Sequence, residues 1–168
     1  MLSQSLTDSL NDQIKQELYS SYLYLSMSAY CDERHLTGFA HWMRIQADEE
    51  REHAMRFFDF IQDRDRRAVL QAIPQPPRDF GSPVELFDQV LAHEQEVTSL
   101  IEQLYRKAAA EQDHATQVFL QWFVTEQVEE EKTASQILET LRMAGDNKVA
   151  LLMVDRELGA RQVAAAPA

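Results

Sequence analysis

Glu50 and His53 stand three residues apart in a stretch free of helix breakers, a spacing that puts a carboxylate and an imidazole on one helix face about one turn from each other. Alone the pair means little, since most such pairs on helices are solvated. Its context is informative. Written in alternating steps of three and four, the surrounding row reads Phe39, Met43, Gln46, Glu50, His53, Phe57 and Phe60, apolar at both ends and polar in the middle. Three other segments behave alike. One gives Leu10, Ile14, Glu17, Ser21, Tyr24 and Ser28; another gives Phe87, Val90, Glu94, Val97, Ile101 and Leu104; the last gives Leu120, Phe123, Gln127, Glu130, Ala134, Ile137 and Leu141. Each row carries a carboxylate near its middle, so the acids of all four can meet at one level.

Four buried carboxylates cannot all stay ionised without company, because each unpaired charge costs several kcal/mol in a dry interior. No Lys or Arg lies in these rows, which leaves protons or a metal cation as the compensator. Metal is the better answer, since protons alone would leave a knot of neutral acids in the core. Carboxylate oxygens with one imidazole suit iron or manganese, with zinc as a further occupant, whereas thiolate-seeking metals find only Cys31. Tyr24, two turns after Glu17, reads either as a core tyrosine with a satisfied hydroxyl or as a hydrogen-bonding and redox neighbour of the metals. Glu49, Glu126 and Glu129 flank the rows, where charges ordinarily form a wet face. Trp122 reads as packing, and His35, His41, His93 and His114 as surface or capping residues.

The elements that must position these groups are helices. Four of the five prolines fall between Pro74 and Pro83 and only four glycines occur, so long segments elsewhere can remain helical. The pattern predicts helices over about 5–33, 36–64, 83–111 and 114–143, with a short fifth over about 148–158 after the Gly145-Asp146-Asn147 stop and cap. Each long helix would measure about 40–45 Å at 1.5 Å per residue. Short first and third junctions force antiparallel pairs. The proline-bearing stretch 65–82, at roughly 3.3 Å per residue, can span about 60 Å and lets the third helix run parallel to the second. The expected fold is all-α: a four-helix bundle of two antiparallel pairs with one long crossover, a single domain over 1–168.

A formal charge of −12 and a pI near 4.8 speak against nucleic acid or an anionic membrane as partner and favour cations. No apolar run reaches membrane-spanning length, and Met1-Leu2-Ser3-Gln4 lacks a signal peptide's basic start, so the expected location is cytoplasmic. The single cysteine fits a reducing compartment.

The spacing of Gln16-Glu17 to Tyr24, the stretch Ala47-Asp48-Glu49-Glu50-Arg51-Glu52-His53-Ala54, Glu94, and the run Gln121-Trp122-Phe123 to Glu126-Gln127-Val128-Glu129-Glu130 together resemble the non-haem ferritins of bacteria. The resemblance extends from about Ser5 to about Arg161. It implies a ferritin-like bundle with ferroxidase activity. Glu17 and His53 would bind a first iron, Glu50 would bridge and Glu94 would bind a second. Gln127 would line the site, while Glu49, Glu126, Glu129 and Glu130 would hold a third iron. It implies O2 or peroxide as oxidant and a homo-oligomeric shell of 24 subunits storing ferric mineral. Three departures from relatives matter. Where bacterioferritins resemble a duplicated site, this chain has Gln127-Val128-Glu129-Glu130, so its centre is asymmetric. Arg51 stands where bacterioferritins carry their haem methionine, so no haem is expected. Gln117 and Leu120 occupy the places where animal ferritins line a threefold channel with acids. Two rivals remain: a small di-iron oxidase or peroxidase that stores nothing, and a metal-free structural bundle.

Overall fold

The computed structural model describes residues 2–163 and contains five helices, α1 (Gln4–Glu33), α2 (Thr37–Asp63), α3 (Pro83–Ala110), α4 (His114–Ala144) and α5 (Lys148–Leu158), with no strand among the described residues. Every boundary falls within a residue of the sequence expectation; Met1 and residues 164–168 lie outside the described residues.

Local chemistry sets the boundaries. The Ser3 hydroxyl accepts from the Leu6 N–H at 3.0 Å, Ser82 and Glu85 form a capping box with Pro83 behind it, and Asn147 accepts from the Val149 and Ala150 N–H groups. Asp113 caps α4 through the Thr116 N–H and takes both nitrogens of Arg64, at 3.0 and 2.8 Å, from the end of α2. The first three helices close alike: His35, Asp65 and Gln112 adopt φ of 60°, 55° and 55°, and the following N–H returns to Cys31, Ile61 and Ala108 respectively. His35 therefore ends α1 with its backbone.

Side-chain pairs fix the helix directions. Ser28 donates to the Ala40 carbonyl at 2.8 Å and Ser21 to the Ala47 carbonyl at 2.6 Å, making α1 and α2 antiparallel. Tyr24 meets Glu94 while Lys107 reaches the Ser5 carbonyl, so α1 and α3 are antiparallel; Gln46 to Glu130 and Arg64 to Asp113 do the same for α2 and α4. Helices α2 and α3 are thus parallel. The crossover accomplishes this by running back along α1, where Arg66 donates to the Leu2 carbonyl, Val69 N–H to Asn11 Oδ1, Ser26 to the Pro77 carbonyl and Tyr30 to the Gly81 carbonyl.

Two apolar clusters fill the bundle ends, one around Met27, Phe39, Trp42 and Phe87 and the other around Leu10, Phe57, Ile101 and Phe123. Fully burying each such side chain stabilises by about 1.5–3 kcal/mol, which lets the ends offset a costly polar layer between them. The inward rows hold at mid-helix and slip elsewhere. Phe60 and Ile137 are only half-buried, and Leu138 turns inward instead, because a helix of 3.6 residues per turn drifts by about 20° per heptad from a 3.5 repeat.

Helix α5 packs on α2 and α4. The first turn of α2 has no side-chain cap of its own at Leu36; Asp155 supplies one, accepting from the Gly38 N–H at 2.8 Å and the Phe39 N–H at 3.1 Å. The approach requires glycine, since a Cβ on Gly38 would lie 1.6 Å from the Asp155 carbonyl oxygen. No described helix is long and apolar enough to cross a membrane.

Candidate metal centre

Between the two apolar clusters the four long helices each turn a carboxylate inward. Glu17 of α1, Glu50 of α2, Glu94 of α3 and Glu130 of α4 are all buried, with His53, Gln46, Gln127 and Tyr24 among them. Ligand atoms of Glu17, Glu50 and His53 lie within 4.8 Å of one another, the only such group among the described residues. His53 Nδ1 is 3.3 Å from Glu50 Oε2, as the one-turn spacing demands, and Trp122 sets its edge against the imidazole at 5.3 Å between centroids. Gln13 donates to Glu17 Oε1 at 2.8 Å, but Glu17 Oε2 is buried with no hydrogen-bond partner. Such an orphaned acceptor is uncommon in a dry interior, and a cation would satisfy it.

The remaining acids are held by neutral donors. Gln46 Nε2 donates to Glu50 Oε1 at 2.9 Å and to Glu130 Oε2 at 3.0 Å, linking α2 to α4 across the layer. Tyr24 donates to Glu94, and Gln127 Nε2 lies 3.3 Å from Glu94 Oε2, 3.1 Å from the Glu94 carbonyl and 3.2 Å from Thr98 Oγ1. The Tyr24 hydroxyl thus bonds into the acid layer, as both readings open for it require.

Electrostatics show how these acids coexist without a metal. Burial, then the charge of Glu50, pushes Glu17 up to about 8. Burial and the same neighbour push Glu130 up to about 7 and Glu94 well above the carboxylate range. For Glu50 burial also acts upward, but the hydrogen bond and charge of His53 outweigh it and the carboxylate is held low. His53 mirrors this: burial acts downward, yet Glu50 lifts it to about 9. At neutral pH the metal-free layer is therefore built around one ion pair, Glu50 with His53; Glu17 and Glu94 keep their protons, and Glu130 is close to half-protonated. Protons and a metal cation are thus alternative occupants of one set of oxygens, and a divalent ion binds by displacing the former.

The flanking acids divide. Glu49 is half-buried and bonded to Arg161. Glu126 is half-buried, and Glu129 is exposed, 3.7 Å from Lys132. None of the three joins the group around Glu17. Two features escaped the sequence pattern. His93, expected at the surface, is half-buried, 2.8 Å from the Ser20 hydroxyl and edge-on to Tyr24 at 6.1 Å, because it follows the core row on the side facing α1. Arg161 brings a guanidinium to the edge of the layer from beyond α5. The inward rows carry no signal for it, since its contacts arise from tertiary docking.

Comparisons with known proteins agree with this geometry. The sequence model of the ferritin-like domain family matches residues 7–144. The bacterial non-heme ferritin of Bacteroides fragilis is 44% identical over 161 residues, covering 96% of this chain and all of that protein. That of Staphylococcus saprophyticus is 40% identical, covering 96% of each. Among solved structures, an open pore ferritin from the hyperthermophilic archaeon Archaeoglobus fulgidus is 48% identical and superposes with a TM-score of 0.96 over 96% of this chain and all of its own.

Proposed function

The chain belongs to the ferritin-like domain family, and from that premise we propose that it stores iron, oxidising Fe(II) in its bundle core before the metal is laid down as ferric mineral. The observation that carries the reading is the convergence of Glu17, Glu50 and His53, with Glu17 Oε2 left facing no donor. Glu17 and His53 would take a first Fe(II), Glu50 would bridge and Glu94 would take a second, with Gln127 beside it. Glu130 with Glu49, Glu126 and Glu129 would serve a third. Each Fe(II) gives up one electron. Two electrons and two protons convert O2 to H2O2, or H2O2 to two waters, and carboxylate oxygens favour the harder ferric ion. Storage needs an enclosed volume, so the functional form would be a closed homo-oligomer; the family resemblance puts the number of copies at 24.

Aerobic addition of Fe(II), followed by ferric absorbance, tests the centre. Wild type should show a fast phase at two Fe(II) per subunit that Glu50→Ala abolishes, since that variant loses both the bridging carboxylate and the partner of His53. Equal fast phases in the two proteins would remove the assignment.

A further inference from the structure

Arg161 reaches the acid layer from just beyond the end of α5. Its guanidinium donates to Gln46 Oε1 at 2.9 Å and to the Glu49 carboxylate, and lies 4.5 Å from the centroid of the Trp42 ring. Its carbonyl accepts from the His41 imidazole at 2.9 Å, and the helix before it is tied to α2 through Asp155. The residue is held at both ends.

An arginine can only donate, so it meets Gln46 only through Oε1. That turns Nε2 inward, where it donates to Glu50 and Glu130 at once. Rotating the amide by half a turn would set its oxygen against the ionised Glu50 carboxylate and its NH2 against the guanidinium. Gln46 is fully buried, leaving no access for bulk water to relieve the mismatch. We propose that Arg161 is a positioning residue of the centre: through Gln46 it fixes how Glu50 on α2 and Glu130 on α4 face each other, so that docking of α5 sets the geometry that receives the metal. The inference rests on the reading of this layer as a cation site.

Co(II) serves as the probe, because the position of its visible absorption reports coordination geometry without turnover. It is titrated into the assembled wild type, Arg161→Ala, Gln46→Ala, the double variant and Glu50→Ala, with helicity followed by circular dichroism. Arg161→Ala should keep its helicity, shift the Co(II) band and weaken binding by about tenfold, as loss of an outer partner of a ligand does. In the Gln46→Ala background the same change should add nothing. Arg161→Met, which keeps an apolar stem beside Trp42, should give the same shift and replaces the alanine variant if that one does not fold. An unchanged band and affinity, or an effect of equal size with Gln46 absent, overturns the inference. A wild-type band in Glu50→Ala would instead show that the centre itself is misassigned.

Discussion

Glu17 is nearly sealed from water, keeps one oxygen without a partner and holds its proton to about pH 8. His53 holds its own to about pH 9. A metal ion must displace both, so affinity for Co(II) should rise through pH 7 to 9, and binding in weakly buffered solution should release protons, measurable with an indicator dye. The sign for stability follows from the same shifts. Both groups have folded-state pKa values above their ordinary ones, Glu17 above 4.5 and His53 above 6.5. Each favours the folded state most at low pH, and that contribution is lost as pH rises, between 4.5 and about 8 for Glu17 and between 6.5 and about 9 for His53. The Tm of the metal-free protein should therefore fall between pH 6 and 9. Saturating Co(II) should remove most of the fall, and Glu17→Gln, which mimics the neutral acid, should remove the Glu17 share. A metal-free Tm that rises over this range would contradict the assigned protonation.

At the scale of elements, α5 carries more than its length suggests. Its Asp155 caps α2, and the contact is close enough that Gly38 tolerates no side chain. Asp155→Ala should cost about 0.5–2 kcal/mol, the usual worth of an N-cap, whereas Asp155→Asn keeps an acceptor and should cost less. Gly38→Ala sets a methyl group against the Asp155 backbone and should cost at least about 1–3 kcal/mol, as overpacking does. Hydrogen exchange distinguishes undocking from general loss of stability. Amides of α5 and the first turn of α2 should exchange faster in Asp155→Ala while those of α1 and α3 hold; uniform acceleration would mean that α5 docks by other contacts.

Across the whole molecule, several large apolar side chains stand open on the described surface. Val118 and Val128 on α4, Val149, Leu152 and Met153 on α5, and Val69 and Leu70 in the crossover are more than half exposed. The proposed shell predicts a light-scattering mass near 24 times the 19.4 kDa subunit, with hundreds of irons retained after aerobic loading. A small particle holding two irons per subunit would favour a substrate-oxidising enzyme, and no iron at all a structural bundle.

How much of this could be read from the chain follows physical lines. Helix extents, the crossover and the inward placement of Glu17, Glu50, His53, Glu94, Gln127 and Glu130 were all legible, because periodicity, breakers and caps act locally and a bundle turns one face of each helix to a common core. Local rules cannot say which groups from distant segments come within bonding reach. The cap that Asp155 lends to α2, the turn of Gln46 under Arg161 and the place of His93 beside Tyr24 exist only once helices have docked, since each joins residues far apart in the chain or depends on the rotation of one helix against another. Docking also settled which acids keep their protons, because burial and the distance to a neighbouring charge are properties of the packed interior.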